Sequence, residues 1–207
     1  MAVTAKYVQQ VTKEIVARIL TMRDESARRA ALANWRQGVG KAPGEQPKVT
    51  GLLLQGIPEE MYADYHGYEK EASPAEWAVY TAVTLFALHQ QGKNCEHEPM
   101  YQEGKSFGAA IAGLVEEEED KERITRRFNM VITAADMREL SHHLRSVVQM
   151  LNAKGIPADY AALAGDLYRY QFVKSRDSVR LKWGQDFYGA LNRKSKEAEM
   201  KEEEKDQ

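Results

Sequence analysis

The sequence predicts an all-α protein, a helical bundle built from two small lobes. Apolar residues recur at three- and four-residue spacing, no segment alternates like a β-strand, and helix start and stop signals punctuate the chain. The 207 residues suffice for one domain or two small ones. We expect an N-terminal lobe with acidic loops over residues 1–120 and a basic C-terminal lobe over 121–192. The charged tail, 193–207, is expected to be a frayed helix or disordered.

Helix signals in the first half are clearest before residue 40 and after residue 72. A first helix is predicted over 4–22 and a second over 24–37, ended by glycines at 38 and 40. A Gly-, Pro- and Lys-rich loop follows over 38–49. Ser73-Pro74-Ala75-Glu76 combines a capping serine, a first-turn proline and a capping-box glutamate, so it predicts a helix to about Gln90. A short helix is expected through Phe107 and Leu114.

The second half is predicted to contain four helices. The acidic run 116–120 leads into a helix through Ile124 and Phe128. Asp136 is expected to cap a helix that ends at Gly155, and Asp159 to cap the next one, through Tyr170. A final helix is predicted over about 178–192.

The cysteine content, the N-terminal residues and the hydropathy of the chain indicate a cytoplasmic protein. Cys95 is the single cysteine, which excludes an intramolecular disulfide and favours a reducing compartment. The first ten residues lack the apolar core of a secretory signal, and no stretch approaches the roughly 20 apolar residues of a membrane span.

The net charge of −2 conceals charged blocks of opposite sign. Residues 1–41 carry eight Lys or Arg against three Asp or Glu, and residues 121–192 carry twelve against seven. Residues 42–120 carry four against fifteen. Basic blocks of this kind can present a positive surface to a polyanion although the whole chain is nearly neutral.

The predicted helix after Asp136 separates its charged and apolar residues most clearly. Arg138, His142, Arg145 and Gln149 fall within about 60° of one another, opposite an apolar face of six residues. An ordinary solvated helix would interleave acids with these bases as i, i+4 pairs. This acid-free stripe therefore favours a surface that faces phosphate.

Further basic residues cluster at helical spacing and complete the predicted nucleic-acid-binding set. Arginine suits phosphate because its planar fork donates two hydrogen bonds, and each neutralised phosphate releases counterions. The alternative is that some of these residues pair with acids of the same chain, above all Arg138 with Glu139 and Arg180 with Asp177. The predicted set comprises Arg29, Arg36, Lys41, Arg126, Arg127, Arg138, Arg145, Arg169, Lys174, Arg176, Arg180 and Lys182.

The aromatic residues between 168 and 188 follow the apolar helical face. Base stacking is one interpretation, but this spacing favours core packing. These aromatic residues are Tyr168, Tyr170, Phe172, Trp183, Phe187 and Tyr188.

Signatures of catalysis, cofactor binding and metal binding are missing from the sequence. Gly38-Val39-Gly40-Lys41 lacks the first glycine, the Ser/Thr and the preceding strand of a phosphate loop. His89, Cys95 and His97 match no standard zinc spacing. We expect neither metal nor cofactor, and no enzymatic activity.

A series of short segments carries a family resemblance. Residues 32–44 read LANWRQGVGKAPG, and later segments are RRFN at 126–129, HLR at 143–145, KGIP at 154–157 and WGQDFY at 183–188. In order and spacing the chain resembles the CasB family, the small subunit of the type I-E CRISPR surveillance complex Cascade. The resemblance covers 5–56 loosely and 122–190 well. The acidic stretches 59–71 and 96–120 and the tail depart from the pattern.

The resemblance implies an all-α, two-lobe subunit without enzymatic activity. Two copies would pack head to tail among other Cascade subunits, stabilise the hybrid of guide RNA and target DNA, and offer a basic path to the displaced single strand. Cleavage would belong to a separate helicase–nuclease. The matched basic positions are Arg36, Lys41, Arg126, Arg127, Arg145, Arg169, Lys174 and Arg176.

Other classes of function stay open at this point. One is a stand-alone helical regulator that binds DNA or RNA, although no helix-turn-helix stands out. A second is a structural adaptor whose basic faces meet acidic protein partners, including its own second copy. A third, with little support, is a metal-dependent enzyme.

Overall fold

The computed structural model describes residues 2–63 and 71–205, so the predicted acidic stretch 59–71 lies partly outside the described residues. An isolated bridge between Tyr101 and Ala158 is the one β-type pairing in the described part. The all-α prediction is confirmed. The described residues form α1 Ala5–Leu20, α2 Glu25–Arg36, α3 Pro47–Gly56, a 3₁₀ turn Glu59–Met61, α4 Pro74–His89, α5 Phe107–Gly113, α6 Glu118–Thr133, α7 Met137–Lys154, α8 Tyr160–Tyr170 and α9 Val173–Lys205.

Helix starts follow the predicted caps. Ser73 accepts a hydrogen bond from the Glu76 amide, and the Glu76 carboxylate accepts one from the Ser73 amide, which completes the capping box of α4. Asp136 and Asp159 cap α7 and α8 in the same way, each through a side-chain oxygen. These bonds satisfy amides that have no partner inside the helix.

Helix α4 is the centre of the fold. It is apolar on nearly every side, and α1, α2, α7 and α8 pack around it. A helix that is hydrophobic all round has to be enclosed by others to be stable. The surrounding helices are amphipathic and turn their apolar faces inward.

All buried hydrophobic residues in the described part of the chain except Ala42, Met100 and Ala161 belong to one cluster that extends from Val8 to Leu191. Helix α1 packs on α8, and α5 packs on α9, so contacts join helices of the two predicted lobes. The division into lobes at residue 120 stays a prediction.

Two segments differ from the sequence-based helix boundaries. Helix α3 occupies part of what was predicted as a loop, where Pro47 takes the first helical position and Val49 and Leu53 are buried. Helix α9 begins earlier than expected, at Val173, and continues without a break through the tail to Lys205.

Candidate nucleic-acid interface

Helix α7 presents the predicted basic stripe to solvent. Arg138, His142, Arg145 and Gln149 are all exposed, while the opposite face is buried. Gly155 ends the helix in the left-handed conformation with φ of 63°, as the stop signal predicted. The amphipathic arrangement derived from the sequence is therefore confirmed.

The loop 38–46 lies along one edge of this stripe. A methyl group added at Gly40 would lie 3.6 Å from Arg145 Nη1, and Glu45 Oε1 lies 2.9 Å from Arg138 Nη1. Lys41, in the same loop, is exposed. The loop that contains Lys41 therefore lies against α7, although it is remote from that helix in sequence.

Helix α6 lies along the other edge through Arg127. Its Nη1 donates a 3.2 Å hydrogen bond to Ser146 Oγ on α7, and its side chain is exposed. Four cations from three elements thus share one surface. We name it the central basic face, and it consists of Lys41, Arg127, Arg138 and Arg145.

Arg126 and Arg29 are each paired with an acid of their own helix. Arg126 Nη2 lies 2.7 Å from Glu122 Oε1, and Arg29 Nη2 lies 2.5 Å from Glu25 Oε1. These are exposed i, i+4 pairs, which contribute at most a few tenths of a kcal/mol and dissociate readily. The acids do not prevent either arginine from meeting a phosphate.

Arg176 and Arg180 hold the segment that precedes α7. Arg176 donates to the carbonyl oxygens of Tyr170 at 2.9 Å and Ala135 at 3.1 Å, and Arg180 donates to that of Ala134 at 3.1 Å. Both guanidinium groups also lie over the Tyr170 ring, 5.4 and 5.5 Å from its centroid. These contacts fix the approach to the first turn of α7, which bears Arg138.

The remaining predicted cations of α8 and α9 differ in whether their side chains are already bonded to other residues of the chain. Lys182 Nζ lies 2.6 Å from Asp166 Oδ2, a buried carboxylate that also accepts from Trp183 Nε1 at 2.8 Å. Arg169 donates to Ser178 Oγ at 2.7 Å. Lys174 is exposed.

Of the two internal pairings that stood as alternatives to phosphate contact, one is formed. Arg180 Nη1 lies 3.4 Å from Asp177 Oδ1, as the sequence suggested. The alternative pairing of Arg138 with Glu139 is not formed, because Glu139 accepts from the Ala135 amide and faces His143, whereas Arg138 pairs with Glu45. Ser146, which accepts a hydrogen bond from Arg127, was also missed. Neither this contact nor the Arg138–Glu45 pair has a local sequence signal.

Three of the aromatic residues between 168 and 188 pack in the core, as their spacing predicted. Tyr170, Trp183 and Phe187 are buried, whereas Phe172 and Tyr188 are about two-fifths exposed. Tyr170 and Trp183 stack with centroids 5.8 Å apart. The buried three are unavailable to nucleic-acid bases.

His89, whose spacing to Cys95 and His97 matches no standard zinc site, is part of the core. It is fully buried, and its Nδ1 lies 2.7 Å from the Tyr160 hydroxyl. Among the residues that the structure describes, no group of three or more His, Cys, Asp or Glu is arranged to hold a metal ion. In the same ranges, no helix combines the length and apolar content that crossing a membrane requires.

The fold and its comparisons define a class of all-helical CRISPR-associated proteins. Residues 31–188 match the family described as CRISPR-associated protein Cse2. The chain belongs to this family, and the CasB resemblance seen in the sequence is confirmed.

Solved structures share the fold over nearly their whole length. CasB from Thermobifida fusca is 29% identical, with a TM-score of 0.66 over 88% of this chain and 96% of that one. CasB from Thermus thermophilus is 22% identical, with a TM-score of 0.61 over 88% and 98%. A chain of a CRISPR RNA-guided surveillance complex is 21% identical, with a TM-score of 0.70 over 93% and 99%. No protein with a curated description matches the chain in sequence.

Proposed function

We propose that this chain is a non-catalytic subunit of a type I-E CRISPR surveillance complex, Cascade, in which it stabilises the open R-loop through sequence-independent phosphate contacts. Its ligands would be the hybrid of guide RNA and target DNA and the displaced single strand, which places the role in the cytoplasm. Family membership and the shared fold with a surveillance-complex chain support the assembly. Other Cascade subunits and a second copy of the chain would be its protein partners.

The observation that carries the proposal is the central basic face. Arg138 and Arg145 are seven residues apart on α7, which corresponds to about 10 Å along the helix axis. They can therefore contact different phosphates of one strand, while Lys41 and Arg127 flank the path on either side. Phosphate contacts of this kind give affinity and register without reading base identity.

The mechanism follows from the energetics of strand exchange. Opening a duplex against a guide RNA replaces one duplex by another of similar stability, so a few backbone contacts are enough to favour the open state. Several exposed cations on one face supply such contacts. The proposal needs no covalent chemistry from this chain.

The predicted set divides into direct contacts and supports. We propose direct contact for the central basic face, for the exposed cations Arg29, Arg126 and Lys174, and for the partly exposed Arg36 and Arg169. Arg176, Arg180 and Lys182 would act mainly by fixing α7, α8 and α9, because each is already bonded to backbone or to a buried carboxylate.

The test is binding of the isolated protein to unrelated single- and double-stranded DNA across a salt series. In a variant with Arg127, Arg138 and Arg145 all changed to Ala, each lost phosphate contact should flatten the log–log salt slope by about 0.7 on single strands and 0.9 on duplex. A matched control changes three exposed cations elsewhere to Ala, at Lys6, Arg18 and Arg23, and should keep the slope. Equal slopes for both variants would contradict the proposed face.

Reconstitution then tests the role in the complex. Cascade assembled with the triple variant should lose R-loops faster than the wild-type complex does, with target pairing unchanged. R-loops that are equally stable with and without this subunit would contradict the mechanism.

The paired arginines favour a second candidate, a structural adaptor. Arg29 and Arg126 already bind carboxylates of this chain, which is also what an acidic protein surface would offer. Salt-sensitive self-association without DNA affinity would support the adaptor over the nucleic-acid subunit.

A further inference from the structure

A cleft between α2 and the segment 90–98 gathers four cationic side chains that are not part of the central basic face. It encloses about 500 Å³, a volume within the range of small-molecule sites. The cations that line it are Arg28, Arg29 and Arg36 from α2 and Lys93 from the opposite wall.

Three carboxylates lie in or beside this cleft, and they leave two of the cations without a hydrogen-bonded acid. Glu25 is bonded to Arg29. Arg28 is buried and donates to the Met22 carbonyl oxygen and to Glu96, both at 3.2 Å. Glu98 Oε1 is 3.8 Å from Lys93 Nζ, too far for a hydrogen bond.

Arg36 and Lys93 are thus the cations of the cleft without a hydrogen-bonded acid, and Lys93 has only the longer 3.8 Å ion pair with Glu98. In the part of the chain that the structure describes, neither side chain has a carboxylate within hydrogen-bond distance. The Lys93 side chain is only 22% exposed, and burial lowers the pKa of Arg36. Two like charges held in a partly desolvated cleft repel each other, and a bound anion would reverse that cost.

The lining favours an anion with many oxygens and little apolar surface. A guanidinium fork and an ammonium group together can donate to several oxygens of one tetrahedral anion. Leu32 and Cys95 are the apolar side chains of the lining, and no aromatic ring is present there for a base to stack on. The cleft is therefore suited to the phosphate group itself.

We propose that the cleft between α2 and segment 90–98 is a phosphate-binding site in which Arg36 and Lys93 hold a single phosphate group. Free phosphate and the terminal phosphate of an oligonucleotide share this chemistry. The site does not depend on the proposed role of the central basic face, because a free anion suffices to occupy it.

The experiment is a titration of the full chain with inorganic phosphate, measured by isothermal titration calorimetry in chloride buffer at constant ionic strength. Saturable binding is expected, and Arg36→Gln and Lys93→Gln should each raise the dissociation constant about tenfold. Arg18→Gln, the same charge change on exposed α1, should leave binding unchanged. Urea unfolding of each variant shows that the fold is kept, and Arg36→Lys, which retains the charge, should recover part of the affinity.

The two sources of phosphate are separated by oligonucleotides with a 5′-phosphate or a 5′-hydroxyl. Stronger binding of the phosphorylated strand, lost in Arg36→Gln, would identify a strand end as the ligand, and equal binding would identify free phosphate. Absence of saturable phosphate binding, or equal weakening in Arg18→Gln, would overturn the site. DNA salt slopes that depend on Arg145 test the central basic face separately, so either proposal can fail alone.

Discussion

Glu45 on the loop 38–46 and Arg138 in the first turn of α7 form an ion pair between residues 93 positions apart, with Oε1 and Nη1 separated by 2.9 Å. Both side chains are substantially exposed, at 43% and 68%. The pair joins the loop to α7 but adds little stability, since exposed ion pairs contribute at most about 1 kcal/mol. A phosphate that approaches Arg138 must compete with this carboxylate.

Removal of the carboxylate should therefore strengthen DNA binding. We expect Glu45→Gln to increase affinity for single-stranded DNA about two- to fivefold at low salt, measured by fluorescence anisotropy. Glu59→Gln, the same change at an exposed acid away from α7, is the control. The effect of Glu45→Gln should vanish in an Arg138→Ala background. An equal gain in both glutamine variants would point to overall charge instead.

Arg180 and Lys174 lie on the same helix, α9. We expect Arg180 to support the fold and Lys174 to contact DNA. Arg180→Ala removes the donor to the Ala134 carbonyl oxygen, so it should lower the free energy of unfolding by about 1.5–3 kcal/mol, as is typical of a charged hydrogen bond. Its DNA salt slope should stay unchanged. Exposed Lys174→Ala should change stability by less than about 0.5 kcal/mol but flatten the single-strand slope by about 0.7. The reverse pattern in urea unfolding and salt titration would exchange the two roles.

Much of the fold was predictable because its signals are local. The capping residues Ser73, Asp136 and Asp159 and the terminal Gly155 determine where their helices begin or end through neighbours within a few residues. Helix α3 was missed because it is short and contains glycines, so its few buried side chains give little periodicity.

The candidate site was predictable only within single helices. The exposed stripe of α7 follows from helical periodicity alone. The approach of Gly40 to Arg145, the Glu45–Arg138 pair and the hydrogen bond from Arg176 to the Ala135 carbonyl oxygen depend on tertiary packing, which no spacing along the chain encodes. The sequence therefore grouped cations by helical spacing without indicating their partners, and their contact with nucleic acid stays a prediction.

Two helical glycines should respond oppositely to alanine. A Cβ at Gly108 in α5 would lie 2.5 Å from the Trp183 carbonyl oxygen of α9, so Gly108→Ala forces two packed helices apart. We expect it to lower the free energy of unfolding by about 1–3 kcal/mol. A Cβ at Gly184 meets nothing within 4 Å, so Gly184→Ala should stabilise by about 0.5–1 kcal/mol. Thermal and urea unfolding measure both, and similar effects would contradict the close contact of α5 with α9.

His89 should make the protein sensitive to mild acid. It is fully buried, and burial lowers its pKa to about 4, against about 6.5 for histidine in an unfolded chain. Between these values the unfolded chain binds a proton that the folded chain excludes. The stabilisation is therefore complete above pH 6.5 and is lost as pH falls toward 4, by about 2 kcal/mol between pH 7 and pH 5.

Urea unfolding at pH 7 and pH 5 measures this loss. His89→Gln keeps a polar group beside the Tyr160 hydroxyl but cannot gain the proton, so its stability should change much less over the same interval, whatever its value at pH 7. His142→Gln, at an exposed histidine of α7, should retain the wild-type pH dependence. Equal stability of the wild-type protein at both pH values would contradict the prediction, and a loss in His89→Gln as large as in wild type would show that the acid sensitivity arises elsewhere. Because His89 is the last residue of α4 and bonds to Tyr160 of α8, its protonation would weaken the packing at the centre of the fold.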